Sequence, residues 1–325
     1  MFGRRMAKVT GAVGKALWPQ APVILMYHRV TDLPRDLWGI TISPDRFAEQ
    51  IEALLTVRRV VSLDELLAHV REGKASDRPL AAITFDDGYH DVRDVALPIL
   101  ERFDCPAMVY VTTGMTGAAG EFWWDELDHI FMETPRLPPH LRTTLNGRQR
   151  DWTLSSGGEP SQRESLCRFV RRGLRDMAPK DIEHWIDAFC AWAGCERAAR
   201  PDRRAMTAEE IAGLSGGLMR VGAHTMTHPS LPRLDPEAQA REIARSREVC
   251  EAMTGAKVDH FAYPFGHFDR SSVRIVREAG FASAVTTAAG VALRIGDPFR
   301  LPRMTPRQAD GDVLIRMLGG PRRGQ

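Results

Sequence analysis

Short apolar runs alternate with helical segments along most of this chain, and this alternation constrains the fold more than any other feature. The runs fall at residues 22–27, 80–85, 107–112, 218–222, 260–263 and 281–286, with shorter ones at 59–61 and 299–303. Apolar runs of this length without a polar face are typical of parallel strands that are covered on both sides. Seven or eight of them, separated by helices, predict an α/β fold: a closed or nearly closed (β/α) barrel of parallel strands.

Capping residues mark the helices between these runs. Ser43 followed by Pro44 predicts the start of one helix, and Asp235 followed by Pro236 predicts the start of a long helix that ends at Gly255. From about residue 114 the alternation stops, and residues 163–175 and 181–192 have a helical pattern. We therefore expect a basic N-terminal segment at 1–20 and a barrel domain at 21–315, interrupted at about 114–206 by a mainly helical insertion.

Composition excludes several classes of protein. The chain has 325 residues, of which 43% are apolar, and a net charge of +2, so a globular core is expected and a nucleic-acid partner is not. Five scattered cysteines without a C-x-x-C pair argue against a disulfide framework or a zinc ribbon and favour a reducing compartment. No G-x-G-x-x-G follows a strand, so a dinucleotide-binding fold has no support.

The N-terminal segment is basic, with Arg4, Arg5, Lys8 and Lys15 among small and apolar residues. It lacks the apolar centre of a secretory signal peptide, and no later stretch approaches the length of a membrane span. These features predict a cytoplasmic protein. We interpret the segment either as a solvated terminus or as a basic helix in peripheral contact with the inner face of the membrane.

Chemically active side chains collect where the predicted strands end. Asp86 and Asp87 follow the run at 80–85, and Gly88 comes next, which by itself would indicate an ordinary turn. Other strand ends carry His28, then His224 and His228, then Tyr263, Pro264 and Phe265. The active sites of such barrels lie at the carboxyl ends of their strands. This coincidence carries more weight than any single motif.

A metal site explains the aspartate pair better than a turn does. His224 and His228 are four residues apart, so both imidazoles can point the same way. With one aspartate they would make three ligands and leave an open position, as in catalytic zinc sites. The second aspartate is then free to take a proton from an attacking water. The residues therefore predict an amide or ester hydrolase, which for an amide also needs a general acid.

At this point the residues resemble the motifs of the polysaccharide deacetylases, also called NodB-homology or carbohydrate esterase family 4 proteins. The similar stretches are Thr84-Phe85-Asp86-Asp87-Gly88, His224-Thr225-Met226-Thr227-His228 and Phe261-Ala262-Tyr263-Pro264-Phe265-Gly266. The resemblance extends over roughly residues 23–303, without the insertion. It implies a distorted (β/α) barrel that removes N-acyl groups, usually acetyl, from amino sugars.

The same resemblance implies roles for individual residues. By motif position Asp86 is the catalytic base, and Asp87, His224 and His228 hold a divalent metal, zinc first, with cobalt or nickel as alternatives. Tyr263, Pro264 and Phe265 fall in the substrate and oxyanion motif, in which the backbone N–H of Phe265 would be the oxyanion donor.

The chain departs from the family pattern at two places. Ala262 stands where many members have an arginine that steadies the catalytic aspartate, so Arg303 or Arg300 is a candidate substitute. No histidine follows His267, so the usual late Leu-x-His acid is absent. Met26-Tyr27-His28 resembles the version found in members that act on poly-N-acetylglucosamine, which makes His28 the candidate general acid, with His267 and His90 as rivals.

Three functions remain open from the sequence. The first is a metal-dependent N-deacetylase of a glycan or glycan precursor, whose saccharide could be nucleotide- or lipid-linked. The second is a deformylase or a hydrolase of another non-peptide amide. The third is a catalytically silent carbohydrate-binding scaffold, which Ala262 and the missing late histidine suggest. The adjacent Trp123 and Trp124 would either stack on sugar rings or anchor the insertion to the barrel.

Overall fold

The computed structural model describes residues 20–74, 76–118, 120–292 and 296–320, so the predicted basic segment at 1–20 lies almost wholly outside the described residues. The strands are β1 Val23–Tyr27, β2 Arg29–Val30, β3 Thr41–Ile42, β4 Arg59–Val60, β5 Leu80–Phe85, β6 Ala107–Val111, β7 His140–Leu145, β8 Arg148–Thr153, β9 Met219–Ala223, β10 His260–Ala262, β11 Ser283–Ala289 and β12 Leu301–Arg303. Seven of them form one parallel path in the order β1-β5-β6-β9-β10-β11-β12, and the short β4 pairs with β5.

The path of strands closes on itself. After β12 the chain returns to β1, where Met304 forms a parallel bridge with Leu25. The Met26 N–H donates to the Met304 carbonyl, and the Met304 N–H donates to the Ile24 carbonyl, each at 2.8 Å. The predicted fold, a distorted and nearly closed (β/α) barrel, is therefore confirmed.

Side-chain alternation divides the barrel into an inside and an outside. Leu25, Ile83 and Val109 pack with the surrounding helices in one buried core. Ile24, Ala82, Met108 and Tyr110, which alternate with them along the strands, belong to a second buried core. Both faces of the strands are covered, which explains why their sequences are apolar without a polar face.

The helices are α1 Pro44–Val57, α2 Leu63–Glu72, α3 Leu97–Arg102, α4 Trp123–Asp128, α5 Pro160–Leu174, α6 Pro179–Ala193, α7 Ala208–Ala212, α8 Pro236–Thr254, α9 Arg270–Glu278 and α10 Gly311–Met317. The predicted caps are confirmed: the Ser43 side chain accepts from the Arg46 N–H, and the Asp235 side chain accepts from the Ala238 N–H. Within the described residues no helix combines the length and the apolar character that crossing a membrane requires.

The helical segment after β5 begins as a π-helical turn, Val92–Ala96, which α3 follows. The Leu97 N–H bonds to the Val92 carbonyl, five residues back, and Pro98 comes next. Because Pro98 has no N–H, it cannot make the helical bond to Asp94, and the wider turn accommodates it.

The insertion contains α4, α5 and α6, as the mainly helical prediction requires, but also an antiparallel hairpin of β7 and β8 that we did not predict. The two turn residues, Asn146 and Gly147, both have positive φ (50° and 71°). Asn-Gly is the preferred sequence of such two-residue hairpin turns, so a signal was present in the sequence. The insertion has its own buried core, which is rich in aromatic residues.

Candidate active site

The two aspartates at the end of β5 point to different partners. Both are buried, with 2% and 3% of their surfaces exposed. Asp86 directly follows β5, and its N–H donates to the Tyr27 carbonyl at 3.0 Å. Asp87 has φ of 73° and Gly88 has φ of 86°, so the backbone turns sharply after Asp86. This turn separates the two like charges, which would otherwise repel each other.

Asp86 forms a forked ion pair with Arg303 at the end of β12. The Nη1–Oδ1 and Nη2–Oδ2 distances are 2.7 and 2.6 Å. The Arg303 Nε donates to the Thr286 carbonyl at 2.9 Å, and Nη1 also donates to Thr84 Oγ1 at 3.1 Å. Burial acts to raise the pKa of Asp86, but the charge and hydrogen bonds of Arg303 outweigh it, and the pKa lies below its ordinary value.

Of the two arginines considered from the sequence, it is therefore Arg303 that contacts Asp86. Arg300 pairs instead with Asp297, at 3.2 Å from Nε to Oδ2.

Asp87 lies beside the two histidines. Its Oδ1 is 3.5 Å from His224 Nε2 and 3.3 Å from His228 Nε2, and ligand atoms of all three side chains lie within 4.8 Å of one another. His224 Nδ1 lies 2.7 Å from the Ala262 carbonyl, which can only accept, so we assign the proton to Nδ1 and the free lone pair to Nε2.

These distances fit a metal ion. Nitrogen and oxygen ligands about 2.05 Å from a tetrahedral zinc ion are about 3.3 Å apart, close to the two observed Asp87–histidine separations. Burial acts to raise the pKa of Asp87, but both imidazoles lower it, and the net pKa lies well below its ordinary value. An ionised aspartate and a neutral His224 Nε2 are the donor types that zinc and similar ions take.

A pocket of about 60 Å³ opens on these residues. Its lining comprises His28, Trp38, Ile40, Asp86, Asp87, Trp124, Arg171, His224, His228, Phe265 and Thr287. His28 thus lies in the same pocket as Asp86 and Asp87. The two rival histidines have other surroundings: His90 lies 3.0 Å from Asp94, and His267 Nδ1 lies 2.9 Å from Ser230 Oγ.

The Tyr263-Pro264-Phe265 motif contributes one residue to the pocket lining. Phe265 has φ of 57°, and its ring lies edge-on to His228, with 4.5 Å between centroids. Tyr263 is fully buried against Phe261 and Phe268, and its N–H donates to the Val285 carbonyl. Pro264 has no N–H. Among these three residues, then, Phe265 alone has a backbone donor left for an oxyanion, and the other two shape the turn.

The two adjacent tryptophans have different surroundings. Trp124 lines the pocket with its ring 4.8 Å from that of His228, and its indole N–H donates to the Tyr89 hydroxyl at 2.7 Å. Tyr89 in turn donates to Asp125 at 2.6 Å. Trp123 is not part of the pocket lining, but both tryptophans are buried in the core of the insertion.

Sequence reasoning missed Trp38 and Arg171. Each is a single residue outside any motif, and its place in the pocket follows from tertiary packing alone.

Comparison with known proteins agrees with this geometry. A family model described as polysaccharide deacetylase matches residues 73–136 and 203–284, less than half of the chain and without most of the insertion. Over these residues the chain is similar to the polysaccharide deacetylase family. A putative polysaccharide deacetylase of Bacillus subtilis, YxkH, is 25% identical over 99 residues, which is 30% of this chain and 36% of that protein. The match thus spans about a third of the length of this curated relative.

Solved structures of deacetylases share the fold. The Streptococcus pyogenes deacetylase PplD superposes with a TM-score of 0.61 at 17% identity, covering 92% of this chain and 98% of that one. IcaB of Ammonifex degensii gives 0.58 at 20% identity, covering 92% and 96%. A de-N-acetylase of Aggregatibacter actinomycetemcomitans gives 0.57 at 14% identity, covering 91% and 99%. At these identities the likeness concerns the fold, and it extends over the insertion as well as the barrel.

Proposed function

We propose that this protein is a metal-dependent hydrolase that removes an N-acyl group from an amino sugar in a glycan or glycan precursor. Acetyl is the leading candidate for the acyl group. The observation that carries the proposal is one pocket that holds both Asp86, paired to Arg303, and the cluster of Asp87, His224 and His228. A carbohydrate-binding scaffold would not need a buried, costly set of this kind. Similarity to the polysaccharide deacetylase family model supports the same conclusion.

Asp87, His224 and His228 would hold the metal ion. Zinc is the leading candidate, and cobalt and nickel are alternatives. When bound, such an ion lowers the pKa of water and polarises the carbonyl of the scissile amide. Because Asp87 and the histidines converge from β5 and from the loop after β9, the loss of any one of them should impair metal binding.

Asp86 is placed to act as general base. Arg303 keeps it ionised, so it can take a proton from the water that attacks the amide carbon. The N–H of Phe265 is the proposed donor to the developing oxyanion. His28, in the same pocket, gives a proton to the leaving nitrogen as the C–N bond breaks. The products are a carboxylic acid and the free amino sugar.

The shape of the pocket supports a small acyl group. Its volume of about 60 Å³ suits a methyl-sized substituent, with a sugar ring against the half-buried Trp38. A formyl group would fit as well, so a deformylase is the second candidate, and acetate or formate among the products separates the two. A nucleotide- or lipid-linked saccharide, and a location in the cytoplasm or at the inner face of the membrane, remain part of the proposal.

The central experiment compares the adjacent aspartates. Asp86→Asn should abolish hydrolysis of an N-acetyl oligosaccharide and keep the metal, whereas Asp87→Ala and the His224→Ala/His228→Ala double variant should lose it. Elemental analysis of the purified proteins should give about one divalent ion per wild-type chain. Near-normal turnover by Asp86→Asn would contradict the assignment of the base. A wild-type protein that takes up no metal would contradict the hydrolase itself.

The general acid is tested by a matched series of histidine variants. His28→Gln should lower kcat by roughly 10²- to 10⁴-fold, the usual contribution of acid–base catalysis. His90→Gln and His267→Gln, whose side chains have other partners, should stay within a few-fold of wild type. If His28→Gln stayed active and one of the control variants lost most of its kcat, the histidine replaced in that control would be the general acid.

A further inference from the structure

A second concave surface lies on the insertion, outside the catalytic pocket. It has a volume of about 490 Å³, and its lining is Leu145, Asn146, Arg148, Phe169, Arg172, Gly173, Arg175, Asp176 and Arg233. Four of these nine residues are arginines, and one is an acid. We call this surface the arginine groove.

The positive charge of the groove is not neutralised. Asp176 is shared by Arg233, 3.1 Å from Nη2 to Oδ2, and by Arg175, 3.5 Å from Nε to Oδ1. The side chains of Arg148 and Arg172 are exposed and make no ion pair or hydrogen bond with any other described residue. An arginine in the last turn of a helix can simply complement the helix dipole, which would account for Arg172 in α5.

The helix dipole does not account for the other arginines. Arg148 begins β8 of the hairpin, and Arg233 lies in the 3₁₀ turn Leu231–Arg233, which belongs to the barrel. Three separate elements therefore direct like charges to one concavity. Such convergence raises the electrostatic energy of the empty groove and is expected where an anion is bound.

The groove adjoins the catalytic pocket through two connections. The first is α5, where Arg171 precedes Arg172 and lines the catalytic pocket, with its guanidinium 4.8 Å from the centre of the Trp38 ring. Arg171 also lacks a carboxylate partner among the described residues. Burial lowers the pKa of Arg171, and the charge of Arg175, one turn further on, lowers it again.

The second connection is the loop that carries His228. Arg233 lies five residues after His228, and between them Ser230 lies 2.9 Å from the His267 ring nitrogen. The His267 ring is 5.8 Å from that of Phe265, which borders the pocket. A ligand in the groove would therefore lie beside the mouth of the catalytic pocket.

We propose that the arginine groove binds an anionic group of the glycan substrate, a phosphate or a carboxylate, while the acylated amine occupies the catalytic pocket. That the anion belongs to a substrate rests on the proposed deacetylase function. Anion binding by the groove itself does not depend on that function. Planar guanidinium groups form paired hydrogen bonds with both kinds of anion, so the shared chemistry is that of an oxyanion. On this proposal the enzyme prefers charged glycans to neutral ones.

The first test measures anion binding without catalysis. Inorganic pyrophosphate is titrated calorimetrically into wild-type protein, the Arg148→Ala/Arg172→Ala variant and an Arg71→Ala/Arg270→Ala control that removes the same charge from exposed sites outside the groove. The groove variant should bind about tenfold more weakly than the control, the scale of two exposed ionic contacts. Because both variants keep Asp87, His224 and His228, binding of pyrophosphate to a metal there cancels in this comparison. Equal affinities would overturn the proposal.

The second test measures preference between substrates. Deacetylation is followed with neutral chitotetraose, with a hyaluronan tetrasaccharide, which carries carboxylates, and with N-acetylglucosamine 1-phosphate. In the groove variant KM should rise about tenfold for an anionic substrate, with kcat and the chitotetraose kinetics unchanged. The more affected anionic substrate identifies the anion. An equal change for chitotetraose would overturn the proposal.

The two tests separate the two proposals. A protein that hydrolyses none of the three glycans but loses pyrophosphate affinity in the groove variant would refute the deacetylase with these substrates and retain the anion site. A protein that hydrolyses them all with the same KM in wild type and groove variant would retain the deacetylase and refute the anion site.

Discussion

Replacing Arg303 by methionine should expose the cost of a buried, unpaired Asp86. Arg303 has 1% of its surface exposed, and its four hydrogen bonds include both oxygens of Asp86. Methionine fills much of the same volume but leaves Asp86 without a counter-charge inside the barrel. Loss of one partner of a buried pair typically costs about 3–5 kcal/mol, so Arg303→Met should lower the free energy of unfolding by about that amount.

A double-mutant cycle separates the ion pair from packing. Asp86→Asn alone leaves Arg303 charged and partly unpaired, whereas Arg303→Met/Asp86→Asn removes both charges. We expect the double variant to be more stable than the sum of the single changes by about 2 kcal/mol. Urea unfolding followed by tryptophan fluorescence, with a chelator present so that metal binding does not contribute, measures all four proteins. Additivity within about 0.5 kcal/mol would refute the claim that Arg303 acts mainly through Asp86.

Two further predictions concern the surroundings of the pocket. Burial raises the pKa of Asp125 to about 7. The stabilisation from its proton is fully present below about pH 4 and is lost as pH rises through about 7. Asp125→Asn should therefore flatten the fall in urea-unfolding stability between about pH 4 and pH 7. Identical slopes in both proteins would contradict this. A Cβ on Gly266 (φ 70°) would lie 2.0 Å from Thr287 Oγ1, whereas Gly216 (φ 81°) has nothing within 4 Å. Gly216→Ala should therefore cost about 1–2 kcal/mol of backbone strain alone, and Gly266→Ala should cost more and also reduce activity by displacing Phe265. Similar losses in both variants would show that the contact with Thr287 is unimportant.

The strands and the helix caps could be predicted from the sequence. The apolar runs became strands, and Ser43 and Asp235 cap helices where the sequence places them, because capping and strand burial depend on neighbouring residues. The convergence of Asp87 with His224 and His228 was also predictable, since parallel strands bring their carboxyl ends to one edge. The π-helical turn Val92–Ala96 was not predicted, because it depends on Pro98 as well as on the apolar pattern of the segment.

Contacts across the fold were harder to predict. The sequence offered Arg303 and Arg300 equally, and the register of β12 against β11 and the position of Met304 beside β1 decide between them. Trp38 and Arg171 reach the pocket from a loop and from the insertion, and no spacing in the sequence links them to Asp86. Tyr263 belongs to the third motif, yet its side chain lies in the core. The motif identifies the turn, but it does not identify which of its side chains faces the pocket.

Closure of the barrel by its final strand has a consequence for synthesis on the ribosome. Asp86 and Arg303 are separated by 217 positions, and the whole insertion is translated between them. A nascent chain that has emerged only as far as β11 therefore has the edges of β1 and β11 unpaired and a buried aspartate without its cation. Native contacts this distant in sequence form slowly, and unpaired edges invite association between chains. The last strand of the barrel path, β12, would then complete the sheet and the ion pair of Asp86 in a single late step.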